Sequence, residues 1–382
     1  MRKWEIAWAV MLGGLPFSSF FMRNWTLTKS LDIWHGQSAW MQFGLIILLG
    51  LFLADGLKFV SNVPLAAWLT WNGLVWFWIN YTVVQEKNIF PASVSFGYLH
   101  CLLIAAFILI ATATWTEMTI DRLIKTIGVS GIVVMFYCLL QVVNLDQFFH
   151  SIDPSDPKDY MVGVIGNPSH LAAYLSMLVP IYIYLGWHVF SLLCIGLLLA
   201  TQSAGAVVGA SLACCYFFFQ HNRILFTITL ICCIAAAVLV TNYYPSYLDS
   251  HGRTAAWKEY WTIYVNSKAT ITGMGVGFVS ELSKQIKDGN VLWQWRHVHC
   301  EPFQVMIEQG IIGFIAVGWI LADSIHKGIT HVSRKMSMCM AILLAFLANS
   351  LVNFPAHLWL LGSLGLFSYC GIIVLSRKES TC

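Results

Sequence analysis

Residues 38–55 read SAWMQFGLIILLGLFLAD, an apolar run with no charge before its final aspartate. At 1.5 Å per residue, a helix of this length extends about 27 Å, close to the thickness of the hydrocarbon core of a bilayer. A run this long and this apolar is typical of a transmembrane helix. The stretch therefore predicts a membrane-spanning segment.

Eleven further runs along the chain resemble this one in composition and approach it in length. They lie near residues 4–22, 63–84, 94–115, 124–144, 169–187, 189–203, 205–220, 223–242, 305–324, 336–353 and 356–376. The two runs within 189–220 are short and nearly fused. The sequence therefore predicts an all-α polytopic membrane protein with about twelve transmembrane helices and one large exoplasmic loop that contains short helices.

Charged residues are scarce along the whole chain. The 382 residues include 21 Lys or Arg and 18 Asp or Glu, which make up 10% of the total, against about 25% in ordinary soluble domains. So few charges cannot cover the surface of a soluble globule, which excludes cytosolic enzymes and disordered or collagen-like chains. The net charge of +3 supports no nucleic-acid partner.

Most of the eleven cysteines lie inside the apolar runs, where cysteine behaves as a small hydrophobic residue. The chain contains no CxxC pair and no Cys/His cluster with zinc-like spacing. We therefore expect no disulfide framework, no metal and no cofactor.

The distribution of Lys and Arg predicts the orientation in the membrane. If the N-terminus is inside and twelve segments span, eleven of these residues lie on the cytoplasmic side and only four in the short outer loops. Both termini are then cytoplasmic, and the N-terminal run is an uncleaved first span. We expect a single membrane domain over residues 1–382, in which loop 243–304 is the large exoplasmic loop and carries the candidate active site.

The first candidate functional residue of the long loop is Arg253. The aromatic residues Trp257, Tyr260, Trp261 and Tyr264 that follow have the spacing of one helix face, which predicts a short helix at the membrane interface. Arg253 has two interpretations. It snorkels to the membrane surface, or it binds an anionic lipid-linked group such as a phosphate.

Three glycines alternate in the next segment, at Gly273, Gly275 and Gly277. This spacing favours a tight turn. It is also compatible with backbone N–H groups that approach a phosphate, with Gly275 and Gly277 as the candidates. The strand and helix of a dinucleotide-binding motif do not surround the glycines.

The densest polar cluster, residues 293–304, leads directly into an apolar run. It contains Arg296, His297, His299 and Glu301, of which the two histidines and the glutamate are too few for a convincing metal site. A histidine here suits the role of a general base that takes a proton from an acceptor hydroxyl, although loop histidines are often solvated or capping residues. Glu308, about one turn inside the run, is expected to face the protein interior or a cavity.

Six segments together resemble the bacterial O-antigen ligase superfamily, which also includes O-antigen polymerases and protein O-oligosaccharyltransferases. The segments occur in the family's order over residues 160–376. They are residues 163–175 (GVIGNPSHLAAYL), 201–206 (TQSAGA), 253–257 (RTAAW), 273–278 (GMGVGF), 299–313 (HCEPFQVMIEQGIIG) and 353–357 (NFPAH).

This resemblance implies a metal-independent glycosyltransferase of a bacterial inner membrane. It would move a glycan from an undecaprenyl-pyrophosphate carrier to an acceptor hydroxyl on lipid A–core or a similar glycolipid, with membrane lipids around it. Carried over to this chain, His299 would be the general base and Arg253 a ligand of the diphosphate. The residues expected to bind substrate are Arg296, His297, Gly275, Gly277, Asn167 and Glu301.

Two positions depart from the family pattern. Ala204 stands where the family has arginine, and Cys300 stands where asparagine is common. Three alternatives stay open: a polymerase that extends the glycan on its carrier, a polysaccharide-related transporter, and an assembly role without catalysis. Against transport, the apolar runs contain few ionisable residues and the two halves of the chain look unlike.

Overall fold

A computed structural model of the chain describes residues 3–18, 30–57, 62–86, 92–143, 145, 161–243, 253–267, 269–285 and 297–379. Over these residues the structure is helical and contains no strand. The helices are α1 (Lys3–Gly14), α2 (Ser30–Ala54), α3 (Val63–Glu86), α4 (Ala92–Thr114), α5 (Glu117–Val142), α6 (Pro168–Leu185), α7 (His188–Ala200), α8 (Ala204–His221), α9 (Arg223–Tyr243), α10 (Arg253–Asn266), α11 (Phe278–Gln285), α12 (Glu301–Thr330), α13 (Arg334–Ser350) and α14 (Trp359–Glu379). Short 3₁₀ turns form at Leu15–Phe17 and Pro355–His357.

Each of the twelve apolar runs coincides with a helix, from α1 to α9 and from α12 to α14. Within the described residues, seven helices are long and apolar enough to cross a membrane: α2, α4, α5, α6, α8, α12 and α14. The prediction of a polytopic all-α membrane protein is therefore confirmed, whereas the count of twelve spans stays a prediction. The helices α10 and α11 are the short helices expected in the long loop.

Two helices form the centre of the bundle. The membrane window of α6 is 78% buried and that of α14 is 83% buried, whereas the window of α2 is 28% buried. Helix α13 packs against both central helices and against α8. The N-termini of α6 and α14 are consequently enclosed by protein on several sides, and this enclosed end holds the polar cluster described below.

The opposite end of the bundle is held by ion pairs. Lys335 at the start of α13 lies 3.1 Å from Glu117 and 2.7 Å from Asp121, both in the first turns of α5. Glu5 of α1 pairs with Arg122 of α5 in the same region. These pairs bring together the N-termini of α1, α5 and α13, which the Lys and Arg counts assign to the cytoplasmic side.

A break in α12 anchors the glycine segment. The backbone of Gly310 has φ 68° and ψ −175°, which interrupts the helix. Segment 270–275 pairs with the break: the N–H groups of Met274 and Gly275 donate to the carbonyls of Ile307 and Glu308, at 3.0 and 2.8 Å. The contact is so close that a Cβ atom on Gly273 would lie 2.4 Å from the Glu308 carbonyl oxygen. Only glycine therefore fits at position 273.

Candidate active site

Three histidines surround one phenylalanine where the N-terminal ends of α6, α12 and α14 meet. The Phe354 ring is stacked on His297 at a centroid distance of 4.3 Å, and it meets His299 at 4.6 Å and His170 at 4.9 Å in edge-to-face geometry. These rings come from three separate segments of the chain. The sequence predicted His297 and His299 as site residues, and the structure adds His170 and Phe354 beside them.

Arg253 and His299 are neighbours in this site, although they lie far apart in the sequence. The pKa of His299 is lowered to about 4, chiefly by burial and in part by the nearby Arg253 guanidinium, which opposes a second positive charge. Burial also lowers the pKa of Arg253. The Nε atom of Arg253 is buried and has no hydrogen-bond partner within the described residues. The pair thus presents a neutral imidazole next to a cation with a free donor.

Both predicted catalytic residues rest on defined local structure. Arg253 begins α10, which contains all four aromatic residues whose spacing predicted a helix. The helix buries Tyr260 and Tyr264, while Trp261 stays 49% exposed. His299 adopts a left-handed backbone conformation with φ 54°, which is uncommon for a residue other than glycine. Its ring meets that of Phe354 edge-on at a centroid distance of 4.6 Å.

A second pair, Glu301 and His357, holds the turn between α13 and α14. Oε1 of Glu301 accepts a hydrogen bond from the Ala356 N–H at 2.8 Å and lies 3.1 Å from Nδ1 of His357. Burial alone would lower the pKa of His357, but the bonded Glu301 carboxylate, with Glu308 behind it, outweighs burial and raises the pKa to about 9. His357 is therefore a cation at neutral pH, and Glu301 is its counter-ion.

Gln304, in the first turns of α12, lies between the two pairs. Its Oε1 accepts from the Val298 N–H at 3.1 Å, and its Nε2 lies 3.1 Å from Nε2 of His357 and 3.3 Å from Oε1 of Glu308. Glu308 is 2% exposed and also accepts from the Val279 N–H at 3.2 Å. Glu308 thus faces the protein interior, as its sequence position predicted.

The other histidine of the loop, His297, is packed among charged and aromatic groups. Burial lowers its pKa well below the usual value, and neighbouring His357, His299 and His170 lower it further. Its ring lies 4.8 Å from that of His357. His297 is accordingly neutral and shielded by its neighbours.

Several predicted substrate ligands are already bonded within the protein. Oδ1 of Asn167 caps α6, accepting from the N–H groups of Ser169 at 2.9 Å and His170 at 3.3 Å. The Gly275 N–H donates to the α12 break, and the Gly277 N–H donates to the Glu308 carboxylate. All three glycines of the segment have positive φ, between 79° and 94°, as a tight turn requires. Arg296 lies outside the described residues.

The two departures from the family pattern also lie at this end. Ala204 begins α8, and a Cβ atom on the next residue, Gly205, would lie 2.3 Å from the side chain of Val352. The start of α8 therefore packs close to Val352, one residue before the 353–357 turn. Cys300 occupies the N-cap of α12, and its thiol is a much weaker hydrogen-bond acceptor than the amide oxygen of asparagine.

An apolar cavity of about 200 Å³ adjoins the cluster, between α3, α4, α12 and α14. Most of its lining is aliphatic or aromatic. Its polar lining includes Glu301, Gln304, Glu308, His357 and His100. The cavity is suited to an apolar group whose polar end meets the histidine cluster.

Along the described part of the chain, no group of three or more His, Cys, Asp or Glu side chains is arranged to hold a metal ion. The described residues of the site supply a neutral imidazole, a guanidinium, and the buried group of Glu301, His357 and Gln304. Such a set can accept a proton and stabilise an anion.

Sequence reasoning missed His170, Phe354, Gln304 and His357 as members of the site. All four lie inside the segments that carry the family resemblance. The available signal was therefore the joint occurrence of these segments, because nothing in the spacing along the chain shows that residues 170, 299 and 354 meet.

Comparison with protein families supports the resemblance. The family model described as "O-Antigen ligase" matches residues 189–318, about a third of the chain. This range contains Arg253, the glycine segment, the histidines of the long loop and the break in α12. A search of curated proteins finds no match. The resemblance inferred from sequence segments is thereby confirmed at the level of the superfamily.

Proposed function

We propose that this chain, which carries an O-antigen ligase domain at residues 189–318, is a membrane glycosyltransferase acting on a lipid-linked glycan. The donor is a glycan on an undecaprenyl-pyrophosphate carrier, and the acceptor is a hydroxyl of lipid A–core or a similar glycolipid. The observation that carries the proposal is the pairing of Arg253 with His299 beside an enclosed histidine cluster.

In the transfer step, His299 accepts the proton of the acceptor hydroxyl and Arg253 binds the diphosphate of the donor. The acceptor oxygen attacks the anomeric carbon of the glycan, and the bond from that carbon to the pyrophosphate oxygen breaks. The hydroxyl proton passes to His299, and undecaprenyl pyrophosphate leaves with the electron pair. A diphosphate is a good leaving group, so the step depends more on charge stabilisation than on protonation of the leaving oxygen.

His299 is suited to the role of base because it is neutral. With a pKa of about 4, the free imidazole is unprotonated at physiological pH and able to accept a proton. A base this weak has little driving force for proton transfer, since efficient bases have pKa values near the working pH. A diphosphate bound to Arg253 would offset the charge that lowers the pKa of His299, so donor binding should make it a stronger base.

Arg253 is suited to hold the diphosphate. A guanidinium presents its donors in a planar fork that matches two phosphate oxygens at once. Its Nε is buried without a partner in the described structure, and a buried unpaired donor is costly unless a ligand satisfies it. The adjoining apolar cavity is compatible with a substrate that carries a lipid.

The decisive experiment measures transfer by the protein purified in nanodiscs. Purified lipid-linked donor is supplied with either a lipid A–core acceptor or a second lipid-linked glycan, each with and without a chelator. We expect transfer to lipid A–core, unaffected by chelator, and its loss in His299→Ala and Arg253→Ala. His326→Ala, near the far end of α12, and Arg223→Ala, at the exposed start of α9, are the matched controls and should retain activity.

The alternatives give different results in the same experiment. Chain extension on the carrier, without transfer to lipid A–core, would identify a polymerase. Movement of glycolipid across the bilayer without bond formation would identify a transporter. Full activity in His299→Ala or Arg253→Ala would overturn the assignment of these two residues.

A further inference from the structure

The peptide groups of Val298 are held on both sides. Its N–H donates to Oε1 of Gln304 at 3.1 Å, and its carbonyl accepts from the indole Nε1 of Trp257 at 2.6 Å. The Val298 side chain is fully buried in the small core formed by α10, α11 and the start of α12. Val298 is therefore fixed by two hydrogen bonds from two different helices and by packing.

The residue held in place next to Val298 is His299. Its left-handed backbone, with φ 54°, is less stable by about 1–2 kcal/mol than a right-handed one for a residue with a Cβ atom. Such a conformation persists only where the surrounding contacts enforce it. The Val298 carbonyl belongs to the peptide bond that joins it to His299, so the bond from Trp257 acts directly on the torsion that aims the imidazole.

Trp257 also ties this restraint to Arg253. The two residues lie four positions apart on α10, which places them on the same face of the helix. One rigid helix thus carries both the cation of the site and the indole that restrains the histidine loop. The separation between Arg253 and His299 is therefore set by this helix and by its hydrogen bond to the Val298 carbonyl.

We propose that Trp257 and Gln304 are positioning residues, which hold His299 in its left-handed conformation through their hydrogen bonds to Val298. The inference rests on the proposed function, because it assigns these residues to the transfer step. Neither residue exchanges a proton or contacts the reacting atoms. Their contribution is the alignment of the imidazole with the acceptor hydroxyl, and misalignment of about 1 Å reduces the rate about 100-fold.

The test uses Trp257→Phe, which removes the indole N–H and keeps an aromatic ring. Trp261→Phe is the matched control, since this tryptophan lies on the same helix, is exposed, and packs on Tyr264 and Phe303. Gln304→Met tests the second bond with a side chain of similar size. We expect kcat to fall roughly 10- to 100-fold in Trp257→Phe and Gln304→Met, because the imidazole is misaligned in the transition state. The KM for donor should stay within about twofold of the wild type, because neither substitution removes a group that binds the donor.

A second readout does not depend on turnover. Diethyl pyrocarbonate modifies neutral imidazoles, and tandem mass spectrometry of the peptide that contains residues 297–300 distinguishes label on His299 from label on His297 and gives the rate for His299. Release of Val298 should raise this rate several-fold in Trp257→Phe and Gln304→Met and leave it unchanged in Trp261→Phe. Each variant is first checked for an unchanged elution profile and helix content.

The two readouts separate failure of this inference from failure of the proposed function. If the wild type is active, two results overturn the positioning role alone. One is a wild-type kcat in Trp257→Phe, and the other is an unchanged labelling rate of His299 in that variant. An inactive wild type overturns the proposed transfer reaction. In that case the labelling rates still decide whether the two bonds hold His299.

Discussion

Replacement of Glu301 by Gln should weaken the fold in a way that depends on pH. The substitution keeps an oxygen that can accept from the Ala356 N–H and removes the charge that raises the pKa of His357. Burial, which lowers the pKa of His357, is then opposed only by the charge of Glu308, so the pKa of His357 falls. The variant thereby isolates the electrostatic part of the Glu301–His357 interaction.

The sign and size of the effect follow from linkage. A pKa of His357 raised from 6.5 to about 9 corresponds to a stabilisation of roughly 3 kcal/mol, at about 1.36 kcal/mol per tenfold change. The figure is an upper limit, because the His357 side chain is still 24% exposed. Since the pKa is raised in the folded state, the stabilisation is complete below pH 6.5 and is lost as the pH rises through about 9.

The assay is thermal unfolding in nanodiscs, followed by tryptophan fluorescence between pH 6 and pH 10. At pH 6 the Tm of Glu301→Gln should lie several degrees below that of the wild type, and the two values should converge near pH 10. Glu259→Gln on α10 is a control for the removal of a carboxylate elsewhere in the long loop. A difference in Tm that is the same at both ends of the pH range would refute the reasoning.

Four further predictions concern the site and its surroundings. Gly273→Ala should lower the Tm more than Gly186→Ala, because both glycines have similar positive φ but only Gly273 faces backbone within 2.4 Å; equal losses would show that α12 tolerates a Cβ there. Cys300→Asn should stabilise α12 by about 1 kcal/mol through capping, measured as a rise in Tm, and an unchanged or lower Tm would contradict this. Activity should fall as the pH drops through the pKa of His299, and the acid limb of kcat/KM should lie near pH 4. The acid limb of kcat should lie at higher pH, because diphosphate bound to Arg253 offsets the charge that lowers the pKa of His299. Acid limbs at the same pH would argue against this linkage. A reporter fused at about residue 285 should be exoplasmic, and a cytoplasmic location would reverse the predicted orientation.

The network around Gln304 bears on how substitutions in this region should be interpreted. Gln304 bonds the loop of His299 and contacts both His357 and Glu308. Loss of activity on replacing Glu301, Gln304 or Glu308 is therefore no sign that these groups touch substrate. The Tm measurements and the labelling of His299 separate structural from catalytic effects.

The amino-acid sequence by itself determined the class of fold, because that property is additive along the chain. Each apolar run is long enough to form its own helix in a membrane, whatever its neighbours are, and helices were found at all twelve runs. The helix at Arg253–Asn266 followed in the same way from its aromatic spacing. Arg253, His297 and His299 were recognised because polar residues stand out in so apolar a chain.

The tertiary structure alone decided what these residues do. Gly273, in the segment that resembled a phosphate cradle, admits the backbone of segment 270–275 to the break at Gly310, which is a matter of contact between distant parts of the chain. Glu301 proved to be the counter-ion of His357, and His170 and Phe354 joined the site from helices that the sequence treated separately. Burial and the charges of neighbours set the pKa values of His299 and His357 in opposite directions. Burial and neighbouring charges cannot be read from a sequence, because they depend on which groups the fold brings within a few ångströms of each other.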